Sequence, residues 1–360
     1  MSTHRLAGRR PTATSTSRTV RHVVVLLITP LLMCLGMGLA YLGAFHAPHA
    51  QGLKVAVIGT SPRVQLLAQT IKDKAGDALD VTTEPDRAAA HRRIMDRDLV
   101  GAYVPSVKHP ELLVAKANSD TSATAAEIVF TTVAGRHDAP LHVTDLSRLS
   151  SGDLTGQGLF FLLVALTIGS NAGVAAISAA GAVRMGTRAV IGVVTALVMS
   201  VIAVVLAGPV FHIVDHNLPG VWVMAWLYSA GILTIGIALH TFLGRWTTAV
   251  QMVLFVMLNF TSSGGILQPA LQNGFFGALH AFWNGAGFVE GARSLLYFDS
   301  TGFGGRILSL VLWLAAGALL TTAATVAEHR AAPDLASPAK RQRDTEKETA
   351  EVDLGETVAA

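Results

Sequence analysis

The chain has 360 residues, of which 51% are hydrophobic and only 14% are charged, and its formal net charge is +3. An ordinary globular domain carries about a quarter charged residues. This deficit excludes a soluble enzyme and indicates long segments selected by the hydrocarbon core of a membrane. The small net charge gives no indication of nucleic-acid binding. The lone cysteine, Cys34, excludes a disulfide within the chain.

The first apolar segment is His22–Phe45, which follows a polar, basic tail over residues 1–21. At about 1.5 Å per residue, a helix of this length crosses a hydrocarbon core of about 30 Å. A cleaved signal peptide has an apolar region of only about 7–15 residues. A retained first transmembrane helix is therefore favoured, although the small residues after Phe45 leave cleavage open. The basic tail predicts a cytoplasmic N-terminus.

Residues 46–157 have the character of a soluble domain, with 12 basic and 13 acidic residues. Short strand patterns alternate with helical spacing, and Asp86 is placed to cap a helix. The predicted strands are Lys54–Gly59, Leu79–Thr83, Asp98–Pro105, Glu111–Ala117 and Pro140–Leu146, and the predicted helices are Arg63–Ala75, Arg87–Arg97 and Ser122–Val133. This alternation predicts an α/β domain with a mixed sheet, inserted after the first helix.

Residues 158–327 predict a membrane domain of five further helices. The predicted spans are Gly158–Ala180, Ala189–Val210, Val221–Leu243, Thr247–Thr261 and Arg306–Ala327. The predicted fold is therefore an α-helical polytopic membrane protein with six transmembrane helices, one plus five, and an inserted extracytoplasmic α/β domain. The tail over residues 328–360 is rich in Ala, Pro and charges, which predicts disorder.

The distribution of basic residues supports this topology. Arg184, Arg188, Arg245 and Arg330 lie close to span ends on the side predicted to be cytoplasmic, whereas the turn after Val210 carries Asp215 and no Lys or Arg. Basic residues concentrate in cytoplasmic loops. The pattern predicts a multi-pass protein of the cell membrane with both termini in the cytoplasm.

No catalytic, nucleotide-binding or metal motif emerges from the sequence. KVAVIGTSP lacks both the dinucleotide fingerprint and the P-loop pattern. His46 with His49, and His212 with His216, have spacings near those of metal ligands, but each pair lacks a convincing third ligand. The sequence therefore predicts a protein that is not an enzyme and holds neither metal nor cofactor in this chain.

Polar residues in the membrane half are candidates for a translocation path, because an unpaired polar group is costly in lipid. Hydrogen bonding between helices is the alternative explanation for each of them. These candidates are Ser170, Asn171, Asn259, Ser262, Ser263, Gly264, Gly265 and Pro269. No acidic or basic residue occupies the middle of a predicted span, which disfavours coupling to a proton or sodium gradient.

The stretch NFTSSGGILQPALQNGFFGALHAFWNGAGFVEGARSLLYFD, residues 259–299, is too interrupted for a plain span. Pro269 breaks the helix, and two amphipathic stretches, Phe275–Trp283 and Phe288–Tyr297, follow. We expect a re-entrant or interfacial helical segment near residues 262–300, called the broken segment below, on the extracytoplasmic side. Glu290 and Arg293 are spaced to pair on one helix face.

Three features together resemble the ABC-2 type transporter permease family, in particular its phage-infection-protein-like branch. They are the one-plus-five arrangement around a large insert that opens KVAVIG, the stretch RDLVGAYVPS, and the broken segment. The resemblance covers residues 22–328. It implies a second permease subunit, identical or different, and a separate ATP-binding subunit. It also implies that the loop Gly181–Arg188 docks this ATPase, with Arg184, Met185 and Arg188 as exposed contact candidates.

Two functions remain open at this stage. In the first, the chain is the permease of an exporter that moves a hydrophobic, lipid-like or drug-like substrate outward, using ATP hydrolysed by the partner, with membrane lipid as its surroundings. In the second, it is a non-transport surface protein whose extracytoplasmic domain binds an external ligand. The first predicts a sensitive Gly181–Arg188 loop, whereas the second predicts that only the inserted domain matters.

Overall fold

The computed structural model describes residues 13–46, 48–135, 139–181 and 183–358, with side chains described only from Leu27 to Arg330 and not for Thr29. Residues 1–12 of the predicted basic tail lie outside the described residues. Two parts are visible in the fold: a small α/β lobe and a bundle of long apolar helices.

The lobe, residues 48–157, contains one mixed five-stranded sheet of order β2-β1-β3-β4-β5. Its strands are β1 (Leu53–Ile58), β2 (Leu79–Glu84), β3 (Gly101–Val104), β4 (Glu111–Val114) and β5 (His142–Asp145). β1 is parallel to β2 and β3, β3 is antiparallel to β4, and β4 is parallel to β5. The predicted mixed sheet is confirmed.

Helices cover both faces of the sheet, which is why its central strands are almost continuously apolar. The helices are α2 (Pro62–Ala75), α3 (Arg87–Met95) and α4 (Asp120–Ala134). Residues of α2 and α4 pack on one face and residues of α3 on the other. Asp86 accepts a hydrogen bond from the Ala89 N–H at 2.8 Å and caps α3, as predicted.

The membrane half begins with α1 (Ala13–Phe45) and continues after the lobe with α5 (Gly158–Ala179), α6 (Met185–Val205) and α7 (Leu218–Leu243). A π-helical turn, Leu206–Val210, extends α6 at Pro209. A tight turn at Gly244–Trp246 then leads into α8 (Thr247–Gln251), a π-helix (Met252–Met257) and α9 (Leu258–Ser262). The broken segment contains a single turn at Pro269–Leu271, then α10 (Gly274–His280) and α11 (Asn284–Tyr297), and α12 (Phe303–Val358) follows.

Four helical stretches of the described residues are long and apolar enough to cross a membrane: Gly158–Ala179, Met185–Val210, Leu218–Ser262 and Phe303–Arg330. They are consistent with a polytopic membrane protein. The described apolar part of the first predicted span, Pro30–Phe45, is shorter. The six-span count is not confirmed and stays a prediction.

The 45-residue stretch Leu218–Ser262 is a hairpin rather than one straight helix. Gly244 has φ 49° at the turn, and the Tyr228 hydroxyl of α7 accepts a hydrogen bond from Asn259 of α9. The two arms therefore run side by side in opposite directions. The returning arm, residues 247–262, is called the second arm below.

The lobe and the Gly181–Arg188 loop lie at opposite ends of the bundle. At the lobe end, the Gly152 N–H donates to the His212 carbonyl at 3.0 Å. At the other end, the Met185 N–H donates to Glu328 at 3.0 Å. Since α5 begins at the lobe and α6 returns to it, neighbouring helices alternate in direction, as the topology prediction requires.

The last helix differs from the sequence-based expectation. The sequence predicts a disordered tail from residue 328, whereas α12 continues to Val358. Ala, Glu, Lys, Arg and Gln dominate this stretch, and these residues have high helix propensity.

Candidate functional site

The broken segment begins with a sharp change of direction at Ser263–Gly265. Gly264 has φ 74°, in the left-handed region that glycine adopts without strain. The Ser263 hydroxyl accepts a hydrogen bond from the Gly265 N–H at 3.1 Å and donates to the Phe260 carbonyl at 3.2 Å. A side chain on Gly265 would overlap the Phe160 ring. The two serines and two glycines of residues 262–265 therefore end α9 and let the chain turn toward the lobe.

A buried charge cluster lies directly behind this turn. Glu290 of α11 is fully buried and accepts a hydrogen bond from the Arg293 guanidinium at 2.6 Å, which confirms the predicted pair. Its second carboxylate oxygen accepts from the Arg97 guanidinium of the lobe. Arg293 also donates to the Gly264 carbonyl at 2.9 Å. A carboxylate buried in this way needs such partners, because an unpaired buried charge is very costly.

Arg97 reaches the membrane half because of its backbone conformation. The predicted helix Arg87–Arg97 ends at Met95, and Arg97 has φ 67°, which is uncommon for a residue with a side chain. Its guanidinium donates to Asn118 at 2.9 Å and to Ser294 at 3.1 Å, in addition to Glu290. The guanidinium carbon also lies 5.2 Å from the centre of the Phe298 ring. The side chain is therefore held from several directions.

Gln268 adds a neutral bridge between the two parts of the protein. Its amide donates to Glu290 and to the Asn118 carbonyl, each at 3.1 Å. Burial alone raises the pKa of the Glu290 carboxyl, but the charges of Arg97 and Arg293 outweigh burial and hold this pKa below the ordinary value of 4.5. The carboxylate is consequently ionised at neutral pH, and the cluster is a charged junction.

The broken segment also completes the hydrophobic core of the lobe on both faces of the sheet. Leu267 and Leu271 pack with Val55, Leu112 and other residues on the α2 and α4 face. Phe298 packs with residues of α3 on the opposite face. The lobe is thus joined to the bundle by apolar packing as well as by charge.

A cavity of about 500 Å³ lies at this lobe–membrane junction. Its lining includes Arg97, Asn118, Gln268, Pro269 and Glu290. Of the sequence candidates, Pro269 is the one that lines this cavity. The lining carries both cationic and acidic side chains, so it does not favour a ligand of one charge.

A second polar network lies inside the bundle. The Tyr228 hydroxyl of α7 is bonded to the Thr167 hydroxyl of α5 and to the Asn259 amide of α9. Tyr228 is 1% exposed and Asn259 is completely buried. Ser170, one helical turn beyond Thr167, is also buried, and its hydroxyl has no hydrogen-bond partner among the described residues. This network ties the hairpin to α5.

A separate cleft of about 490 Å³ lies between α5 and the second arm, at the end of the bundle that carries the Gly181–Arg188 loop. Its walls include Ile168, Asn171, Ser178, Gln251 and Met252. Most of the lining is apolar. The π-helix Met252–Met257 forms part of one wall, and such helices occur frequently at functional sites.

Three buried polar atoms in the wall of this cleft have no hydrogen-bond partner within the described part of the chain: Oδ1 of Asn171, Oγ of Ser178 and Nε2 of Gln251. Gln251 is only 2% exposed. Buried polar groups are nearly always hydrogen-bonded, so each exception calls for an explanation. These atoms are also closed to solvent, so a polar ligand in the cleft supplies the missing partners only if neighbouring side chains move.

The eight predicted path residues lie at several places in the fold, and their role in a translocation path stays a prediction. Asn171 lies in the cleft and Pro269 at the junction, while Asn259 belongs to the Tyr228 network. Ser262 donates to the Leu258 carbonyl at 2.6 Å within its own helix. Three further residues belong to these sites although no sequence motif identifies them: Arg97, Tyr228 and Gln251. Gln251 is a polar residue inside a predicted span, and that signal identifies it without a structure.

Of the three docking candidates that were expected to be exposed in the Gly181–Arg188 loop, two are buried. Arg184 is exposed, but Met185 is completely buried and Arg188 is 7% exposed. Arg188 donates to the carbonyls of Val183 and Gly181 at 2.7 and 2.9 Å, so it holds the loop together. The loop is short, and its side chains turn inward to satisfy its own carbonyl groups.

Within the described residues, no group of three or more His, Cys, Asp or Glu side chains is arranged to hold a metal ion. His216 instead bonds the Leu296 carbonyl at 2.7 Å, in a role that is structural. Comparison with protein-family models, with curated proteins and with solved structures gives no match for this chain.

Proposed function

We propose that this chain is the membrane-spanning permease subunit of an ABC-2 type exporter, a multi-pass protein of the cell membrane with both termini in the cytoplasm. It moves a hydrophobic, lipid-like or drug-like substrate outward with energy from a separate ATP-binding subunit, and it works as a pair with a second permease subunit. The lobe then lies on the extracytoplasmic side.

The observation that carries this proposal is the cleft between α5 and the second arm. A helix bundle that serves only as an anchor gains nothing from a cleft of about 490 Å³ with unsatisfied polar atoms in its walls. Such a volume lies within the range of about 300–1,000 Å³ that is usual for small-molecule sites. A cleft of this kind is what a transported molecule requires.

The position of the cleft supports the same proposal. It lies at the end of the bundle that carries Arg184, Arg245 and the Arg188–Glu328 ion pair, whose N···O distance is 3.9 Å. By the distribution of basic residues this end faces the cytoplasm. An ATPase that contacts the exposed Arg184 therefore acts next to the cleft, and the charge cluster at the other end transmits the movement to the lobe.

The proposal is tested by purifying the tagged protein from native membranes and measuring the amount of ATP-binding protein that is retained. Reversal of one exposed charge, Arg184→Glu, is expected to reduce this amount severalfold. Lys108→Glu, at an exposed site of the lobe, is the matched control and is expected to leave it unchanged. Arg188 and Met185 are unsuitable probes because they are buried, and their replacement disturbs the loop itself.

The surface-protein alternative gives the opposite pattern. If no ATP-binding protein is retained with the unaltered chain, and exposed substitutions on the lobe abolish function while Arg184→Glu does not, the permease proposal is wrong. Deletion of the lobe is a poor test. It removes Arg97 from Glu290 and exposes Leu267, so the membrane half is damaged in either case.

A further inference from the structure

We propose that the cleft between α5 and the second arm binds an anionic amphiphile whose polar part carries a hydroxyl or amide. The inference deepens the proposed function and rests on it only for the statement that this molecule is the transported substrate. Binding itself requires no ATPase. The proposal is built from the shape of the cleft, its unsatisfied polar atoms and its charge.

The shape of the cleft admits a molecule from the side. One wall is a single face of α5, formed by Ile168, Asn171, Ala172 and Ala175. Ile168 is 59% exposed, and Ala172 and Ala175 are also exposed. This face lies on the outer surface of the bundle, so the cleft is open toward surrounding lipid. An apolar chain that enters from the membrane exchanges lipid contacts for contacts with apolar side chains at little cost.

The unsatisfied polar atoms define the chemistry next to the chain. The Gln251 side-chain amide is a hydrogen-bond donor without an acceptor, and the Asn171 side-chain carbonyl is an acceptor without a donor. The Asn171 amide nitrogen is already bonded to the Thr167 carbonyl at 2.9 Å, which fixes the orientation of this side chain. Both atoms are closed to solvent in this conformation, so a ligand that supplies one acceptor and one donor satisfies both residues once the neighbouring side chains shift. A carbonyl or phosphate oxygen and a hydroxyl group meet this requirement.

The charge of the lining favours an anion. Arg245 and His240 line the cleft beside the turn between α7 and the second arm, and the lining includes no Asp or Glu. Arg245 is exposed and stacks against the Trp246 ring, with 5.5 Å between the guanidinium carbon and the ring centre. An anionic headgroup therefore finds a cation at the mouth of the cleft, whereas a cationic headgroup meets repulsion.

The position of the Gln251 amide is built into the packing of the hairpin. It lies against Gly236 of α7, and a methyl group there would overlap the amide nitrogen. The π-helix begins at the next residue, Met252. The close approach of the two arms therefore depends on a glycine at this site, and it holds a buried polar group at the cleft wall.

The proposal is tested with purified protein in nanodiscs of zwitterionic lipid. Lysophosphatidylglycerol and lysophosphatidylcholine with the same acyl chain are titrated, and the bound molecules are counted by native mass spectrometry. The unaltered protein is expected to bind the anionic lysolipid more tightly. Arg245→Gln is expected to remove this preference. Gln251→Leu, which preserves size and removes the donor, is expected to weaken binding of both lysolipids by about three- to tenfold.

The matched control is Arg184→Gln, which removes an exposed charge at the same end of the bundle but outside the cleft lining. It is expected to leave both affinities unchanged. Equal binding of the two lysolipids by the unaltered protein overturns the proposal, and so does an equal loss of preference in Arg184→Gln and Arg245→Gln. Because Arg245 is exposed, its replacement does not threaten folding. Failure to retain an ATPase affects only the proposed function, since this assay contains none.

Discussion

The guanidinium of Arg97 in the lobe and the carboxylate of Glu290 in α11 form an ion pair between residues 193 positions apart in the chain. Their side chains are only 15% and 1% exposed. The carboxylate also bonds Arg293, so one buried anion serves two cations from two parts of the protein. The Glu290–Arg293 pair lies within α11, and Arg97 adds a second cation to it from the lobe. The lobe and the membrane half are therefore coupled at this point.

Replacement of Glu290 by Gln is expected to destabilise the protein strongly. Arg97 and Arg293 then share a buried site without a counter-charge, and loss of one partner of a buried ion pair costs about 3–5 kcal/mol. Thermal unfolding in detergent measures the effect, and limited proteolysis between the lobe and α5 reports whether the junction opens. The control is Asp80→Asn, which breaks the pair between Asp80 and Lys72, whose side chains are 48% and 50% exposed. That change is expected to cost about 0–1 kcal/mol.

The Glu290 ion pairs at the lobe–membrane junction are expected to stabilise the protein in mild acid and to be lost only in strong acid. The folded-state pKa of Glu290 is lowered from 4.5, so its stabilising contribution is complete above that value and is lost as the pH falls through the folded-state pKa. The difference in melting temperature between the unaltered protein and Glu290→Gln should not shrink between pH 8 and about pH 5, and it should shrink below about pH 4.5. A difference that already shrinks near neutral pH contradicts the prediction.

His280 adds a separate dependence at higher pH. Burial lowers the pKa of this imidazole from 6.5, and the Ser262 carbonyl accepts its Nδ1 hydrogen at 2.9 Å. A base whose pKa is lowered on folding loses stabilisation as the pH falls below its ordinary value. The unaltered protein should therefore lose stability gradually below pH 6.5, and His280→Gln should remove this part of the pH dependence. Thermal unfolding across the pH range measures both curves.

Leu267 of the broken segment is expected to behave as a core residue of the lobe. It is 6% exposed and packs on the α2 and α4 face of the sheet. Leu267→Ala should cost about 2–5 kcal/mol in the free energy of unfolding, because it leaves a cavity in the core. Leu66→Ala on α2 is the control, since Leu66 is 69% exposed and its loss should change stability by less than about 0.5 kcal/mol. Equal effects would mean that the lobe folds independently of the membrane half.

The elements of the lobe could be predicted from sequence because their signals are local. Strand patterns, helical spacing and the Asp86 cap each involve residues close together in the chain, and the observed bounds differ by only a few residues. The junction could not be predicted. In the sequence, Arg97 is one basic residue among several near a helix end, and only the folded chain brings it to Glu290. Glu290 and Arg293 were recognised as a pair because they are three residues apart on one helix.

In the membrane half, too, local sequence patterns predict the elements but not the contacts between them. Hydropathy located the apolar stretches, since lipid selects composition, but it carries no information about which polar side chains meet. Ser262, Ser263 and Gly264 shape the turn, whereas they were predicted to be path candidates. Phe288–Tyr297 was expected to be amphipathic, but α11 is buried on nearly all sides because the lobe, α7 and α12 surround it.

Loss of the Tyr228 hydroxyl is expected to destabilise the protein, although only one oxygen atom is removed. It bonds both Thr167 and Asn259, and Tyr228→Phe leaves the Asn259 amide with a weaker set of partners in a buried site. A cost of about 1–3 kcal/mol in thermal unfolding follows from leaving buried polar groups unsatisfied. Thr322→Val is the control, because Thr322 is exposed on α12 and bonds only the Ala318 carbonyl of its own helix, at 2.9 Å. A comparable loss in both variants would show that the network has no special role.

Gly236 provides the most direct test that the hairpin packing sets up the cleft. A methyl group at this position overlaps the Gln251 amide and the Val174 side chain, so Gly236→Ala should separate the second arm from α7 and cost about 1–3 kcal/mol. Gly38→Ala in α1 has no atom within 4 Å of the added methyl group and should instead stabilise the helix by about 0.5–1 kcal/mol. Thermal unfolding of the two variants measures whether Gly236→Ala lowers the stability and Gly38→Ala raises it. If Gly236→Ala also stabilises the protein, then the Gln251 amide is not held against α7 and does not form part of the cleft wall.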